Sequence, residues 1–188
     1  MKLALLYNKL RSLIIPLEQI DKSLPSKGTI ADLGCGQGVI AKYIAQNGQR
    51  NIIGVDLNKK RLPKTFLKNL RFQNGNIMNF NLRNIDGVIM SDVLHHITYN
   101  EQNKLIGKIA KSLKKGRIFV IKEIDTGEFF RSRMSRFWDF VFYPNEKIFF
   151  RNSKELAKTL EKSGFKVKIK RLMRFFPGST TLFICTKK

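Results

Sequence analysis

Ile30-Ala31-Asp32-Leu33-Gly34-Cys35-Gly36-Gln37-Gly38 runs a short apolar segment straight into three glycines at alternate positions, and Val39–Gln46 continues as a helical pattern. Glycines at such a junction permit a tight turn and let a ligand lie close against the backbone beside a helix N-terminus. The spacing of Gly34, Gly36 and Gly38 differs from the G-x-G-x-x-G of dinucleotide-binding loops. Asp32 stands two residues before the first glycine, at the carboxyl end of the expected strand. A carboxylate there repels a pyrophosphate and suits a cationic ligand.

Outward from this loop a strand–helix alternation repeats. Asn51–Leu57 is a second apolar strand ending on Asp56, about twenty residues past the loop, where an acidic side chain can accept both hydrogen bonds of a ribose diol. Lys59–Lys68 reads as a basic helix interrupted by Pro63. Leu70–Phe72 is a short third strand followed by Gly75-Asn76-Ile77, and Asp86–Ser91 is a fourth. Ser91-Asp92-Val93-Leu94-His95-His96-Ile97 then leaves the sheet on the same edge as the glycine loop. Glu101–Leu113 is an amphipathic helix closed at Gly116, and Arg117–Ile121 is a fifth apolar strand.

The two ends of the chain complete the pattern. Ser153 is expected to cap a helix ending at Gly164, and Lys166–Leu172 and Thr180–Thr186 read as paired strands around Phe175-Phe176-Pro177-Gly178. Leu3, Leu6, Leu10, Leu13 and Ile14 share one helical face, and Pro16 opens a second short helix carrying Leu17, Ile20 and Leu24. Near-continuous apolar strands separated by amphipathic helices predict an α/β fold, with a mostly parallel sheet covered on both faces. No repeat or linker interrupts the chain, so one domain is expected over residues 1–188. The loops after the first four strands then meet at one sheet edge, where open α/β sheets bind ligands.

Composition narrows the class. The 188 residues carry 36 Lys and Arg against 14 Asp and Glu, a formal charge of +22. A hydrophobic fraction of 43% with 15 Phe excludes a disordered basic tail, because enough apolar surface exists to offset chain entropy. The charge is uneven: residues 1–94 hold 14 basic and 6 acidic side chains, net +8, and residues 95–188 hold 22 and 8, net +14. Cys35 and Cys185 are too few for a disulfide scaffold or a four-cysteine zinc site, and no metal is expected. No apolar run approaches the roughly 20 residues that span a bilayer, and no secretory signal is expected. The expectation is a cytoplasmic protein with peripheral contact at the inner face of a membrane.

Together these segments resemble the class I S-adenosylmethionine-dependent methyltransferases, by motif over residues 28–123 and by strand–helix order to residue 188. The resemblance implies a Rossmann-like, seven-stranded sheet whose last two strands form an antiparallel hairpin, with S-adenosylmethionine as cofactor. It places Asp32, Gly34, Cys35, Gly36 and Gly38 around the methionine part. Asp56 with Leu57 falls at the ribose, and Asn76 with Ile77 beside adenine. Asn76 stands where the family usually has Asp. Ser91 and Val93 belong to a strand-four motif similar to that of members methylating small molecules and lipids.

Methyl transfer from a sulfonium asks mainly for in-line alignment of the acceptor, with a base where the acceptor must lose a proton. The only histidines, His95 and His96, lie beside the expected cofactor and are the catalytic candidates; Glu123 and Asp125, after the fifth strand, are further ones. Neither cysteine suits a nucleophilic role. The Asn/Asp-Pro-Pro-aromatic signature of base-amine methylation is absent after the fourth strand, where Ser91-Asp92-Val93-Leu94 stands instead. The leading expectation is therefore a small-molecule or lipid-like acceptor. Residues 127–151 are expected to cover it, with Phe130, Met134, Phe137, Trp138 and Val141 at helical spacing. Arg131, Arg133 and Arg136 accompany them, a pattern that suits an anionic interface. The same residues suit RNA, which is the second reading, and a non-catalytic partner subunit is the third.

Overall fold

The computed structural model describes residues 15–46, 48–124, 147–172 and 180–188. The expected helical face at Leu3–Ile14, the arginine and aromatic stretch up to residue 146 with Asp125, and Phe175–Gly178 lie outside the described residues. Strands β1 (Lys27–Leu33), β2 (Gln49–Asp56), β3 (Leu70–Asn74), β4 (Gly87–Ser91) and β5 (Ile118–Glu123) run parallel. Strands β6 (Phe165–Leu172) and β7 (Thr180–Lys187) complete the sheet in the order β3-β2-β1-β4-β5-β7-β6, with β7 antiparallel to both neighbours. The expected mostly parallel, seven-stranded architecture with its C-terminal hairpin is the one observed.

Alternation along each strand supplies two apolar faces. Ala31 and Leu33 of β1, with Val88 and Met90 of β4, join a core closed by helices α3 (Tyr99–Ser112) and α4 (Ser153–Lys162) through Leu105, Ile106, Ile109, Leu156 and Leu160. Ile30, Ile52, Ile89 and Val120 face the other way, onto Ile20 of α1 (Leu17–Asp21) and Ile40, Ala41 and Ile44 of α2 (Val39–Gln46). Burial on both faces is why these strands read as unbroken apolar runs. An ion pair between buried Arg50 and half-buried Asp21 joins β2 to α1.

Two local expectations are corrected. Lys59–Lys68 is not a helix: only Lys59–Arg61 forms a single 3-10 turn, capped by the Asn58 side chain, and the chain is irregular from there to β3. Pro63 drives Leu62 out of the helical region, to φ −67° and ψ 123°, and no apolar stripe compensates. The cap of α4 is Asn152, whose Oδ1 accepts from the Glu155 amide at 2.9 Å; Ser153 is the first residue inside the helix. Helix α3 starts on a reciprocal capping box between Thr98 and Glu101.

Candidate functional site

The carboxyl ends of β1, β2 and β4 and the segment after β3 surround a cleft of about 1200 Å3. Asp32, Gly34, Cys35, Gly36, Asp56, Leu57, Asn76, Ile77, Ser91 and Val93 all line it, so ten of the eleven expected cofactor residues converge there. Gly38 does not. A Cβ at Gly38 would stand 2.4 Å from the Phe72 ring, so this glycine makes room for β3. Gly54 does the same within β2, with Phe72 at 2.6 Å and the Cys35 sulfur at 2.9 Å from its would-be Cβ. Gly36 is the contrasting case: at φ +52° its missing Cβ would meet nothing within 4 Å, leaving backbone exposed to the cleft.

The loop is held by β2. The Val55 carbonyl accepts from the Gly34 and Cys35 amides at 2.7 and 3.0 Å. Asp56 is buried, with Oδ2 accepting from the Gly36 amide and Oδ1 from the Asn58 amide, each at 2.8 Å. Each oxygen keeps a second lone pair for a ligand hydroxyl. Asn76 uses Oδ1 to accept from the Met78 amide at 2.8 Å, which stabilises its own turn and leaves the amide NH2 as the group available to a ligand. Burial pushes the Cys35 thiol far above its ordinary range, so it is neutral lining rather than a nucleophile. Cys185 is held neutral in the core by the same cause.

Asp32 is 2% exposed, yet it lines the cleft, and its Oδ2 has no hydrogen-bond partner among the described residues. Desolvation, with the Asp56 charge adding to it, pushes its carboxyl up to about 7, against a lowering contribution from the Ala41 backbone. A buried acceptor left without a partner is costly, and a cation arriving in the cleft would satisfy it. This orphaned carboxylate and the open backbone at Gly36 both fit S-adenosylmethionine, which carries a sulfonium and an ammonium.

The two histidines separate. His96 lines the cleft beside Ile97, Ile15 and Lys147. His95 is 2% exposed and faces inward, its Nδ1 2.7 Å from Glu123 Oε2 and its ring stacked on Phe150 at 4.8 Å. The second Glu123 oxygen accepts from the Val93 and Leu94 amides at 3.1 and 2.9 Å, so one buried carboxylate orients the whole turn. Beneath it, Gln102 donates to the carbonyls of Leu94, Ile97 and Phe149 at 2.9–3.0 Å and accepts from Arg151 at 2.7 Å. Lys122 and Asp92 form a buried pair at 2.7 Å on the same turn. Sequence reasoning missed Gln102 and the Lys122–Asp92 pair. Gln102 left a signal, a polar side chain on the buried face of an amphipathic helix.

The model of a methyltransferase domain family matches residues 6–168. A ribosomal protein L11 methyltransferase of Clostridium botulinum is 25% identical over 118 residues, which is 57% of this chain and 35% of that protein, so the chain spans about a third of this relative's length. An S-adenosylmethionine-dependent methyltransferase structure from Archaeoglobus fulgidus superposes with a TM-score of 0.76 at 18% identity, covering 95% of this chain and 94% of that one. The magnesium protoporphyrin IX methyltransferase of Synechocystis, solved with bound SAH, gives a TM-score of 0.69 at 16% identity over 96% of this chain and 83% of its own. With the glycine loop, Asp32 and Asp56 gathered on one cleft and the family model spanning most of the chain, the protein belongs to the methyltransferase domain family and has the fold of the class I S-adenosylmethionine-dependent methyltransferases.

Proposed function

We propose that the protein, as one domain over residues 1–188, methylates a small-molecule or lipid-like acceptor. The observation that carries this reading is the composition of the cleft wall away from the expected cofactor residues. Ile15, Met78 and Ile97 give it an apolar part, His96 a group that can take a proton, and Lys59, Lys60 and Lys147 a cationic part. That combination suits an amphipathic acceptor with an apolar body and a polar or anionic head. Ser91–Leu94 end β4 and lead out of it, where base-amine methyltransferases carry their proline-containing signature.

When bound, S-adenosylmethionine supplies an electrophilic methyl on a cationic sulfur. Asp32 would hold the cationic end, Asp56 the ribose hydroxyls, and Asn76 with Ile77 the adenine. His96 takes the acceptor's proton where there is one to lose. His95 is a positioning residue. Its Nδ1–H donates to Glu123, and this orients the turn on which His96 stands.

The test is turnover of a panel of apolar hydroxyl and amine acceptors, with RNA and ribosomal protein as the competing classes. The expected result is turnover on the apolar panel, with His96→Ala slowing the chemical step about 100-fold at unchanged cofactor affinity. Turnover confined to RNA or protein would overturn the acceptor assignment.

A further inference from the structure

We propose that the segment from Leu57 to Lys68 docks the protein on an anionic lipid bilayer, with Phe66 entering the boundary between headgroups and acyl chains. This deepens the lipid-like reading of the acceptor. The stretch Leu57-Asn-Lys-Lys-Arg-Leu-Pro-Lys-Thr-Phe-Leu-Lys68 holds five basic residues and no acidic one. Lys59, Lys60, Lys64 and Lys68 are exposed, and none is ion-paired with a described residue. Phe66 is 99% exposed and lies outside the cleft, so a large apolar side chain stands in water among these cations.

Their exposure is built in rather than frayed. Leu67 packs on the core formed with α1 and α2. Asn69 Nδ2 donates to the Ala45 and Arg50 carbonyls at 2.8 and 3.0 Å. Pro63 is half-buried against the glycine loop, 3.3 Å from where a Gly38 Cβ would stand. Phe66 is thus presented outward between anchored residues. The proximal residues Leu57, Lys59, Lys60 and Arg61 line the cleft itself. The single carboxylate of S-adenosylmethionine cannot pair with Lys59, Lys60, Lys64 and Lys68 together, so an anionic surface outside the cleft is the partner these four cations fit.

Phe66 is the one aromatic side chain of the segment, where a nucleic-acid groove presents several for successive bases to stack on, so a bilayer interface is the polyanion this surface fits. Docking through this segment would bring the cleft to the layer in which an amphipathic acceptor resides.

The test uses the full chain. Trp138 is its only tryptophan, so Phe66→Trp in a Trp138→Phe background reports the environment of position 66 alone. The emission should shift to the blue with vesicles of phosphatidylcholine containing phosphatidylglycerol and stay unchanged with pure phosphatidylcholine. Phe66→Asp should lower the partition coefficient at least about tenfold. Lys64→Gln and Lys68→Gln should lower it about fivefold each. None of these three residues lines the cleft, so cofactor affinity should not move. No emission shift, equal partition of all variants, or Phe66-dependent binding to RNA without binding to vesicles would overturn the docking surface. Vesicle partition without turnover of any lipid-like acceptor supports the surface and sinks the acceptor reading. Turnover without partition does the reverse.

Discussion

Asp32→Asn should strengthen the unliganded fold while weakening cofactor binding. The wild-type carboxyl is buried and pushed up from 3.8 to about 7, roughly three units at about 1.4 kcal/mol each. A raised carboxyl pKa destabilises the ionised folded state: between pH 3.8 and about 7 the unfolded chain has lost this proton and the folded chain has kept it, so stability falls as pH rises. Above about pH 7 the cost is constant, with an upper limit on the order of 4 kcal/mol. An asparagine of the same shape escapes the charge penalty and incurs about 1–3 kcal/mol for its own buried amide. The net gain at pH 8 is therefore about 1–3 kcal/mol, or about 3–10 °C in Tm for a chain of this size. The gap over wild type should shrink by about 1.4 kcal/mol per unit as pH falls below 7. Thermal melts of apo protein at pH 5 and pH 8 measure it. Calorimetry in buffers of different ionisation enthalpy should show wild type releasing protons on binding S-adenosylmethionine near neutral pH, and affinity rising with pH up to about 7. The variant should bind at least about tenfold more weakly and release none. A variant less stable than wild type at pH 8, or a stability gap independent of pH, would refute the reasoning.

Gly36→Ala places a methyl in the cleft at a strained φ, and should weaken cofactor affinity at least about tenfold with about 1–2 kcal/mol lost in stability. Gly38→Ala drives a methyl into the Phe72 ring and should cost about 2–4 kcal/mol of stability in denaturant titration, the opposite balance. Asp56→Ala removes the acceptor of the Gly36 and Asn58 amides as well as the ribose site, and calorimetry should show cofactor affinity weakened by about 1.5–3 kcal/mol. Glu123→Gln presents an amide where His95 Nδ1 needs an acceptor, so kcat should fall and the pH–rate profile shift while KM for cofactor holds; Glu123→Ala should also lower the melting temperature.

The alternation of apolar runs with amphipathic helices was sufficient for the α/β class, because burial on two faces writes itself along each strand, while the antiparallel ending followed from the family resemblance and two paired strand patterns. The glycine loop and its spacing to Asp56 were equally legible, since loop and strand end are joined by one βαβ unit whose geometry is local. What one dimension did not carry was the partner each residue meets. Gly36 and Gly38 look alike in the chain, and only Phe72, brought over on β3, makes one a packing site and leaves the other as open backbone. His95 and His96 are neighbours in sequence, yet Glu123 turns one inward while the other faces the cleft, and that carboxylate arrives from β5. The cost of burying Asp32 and the exposure of Phe66 are likewise properties of surroundings assembled from distant segments. Local pattern determined the framework because backbone periodicity and burial are repetitive. The tertiary structure decided the chemistry because desolvation, sterics and hydrogen bonding depend on which distant atoms share a few ångströms of space.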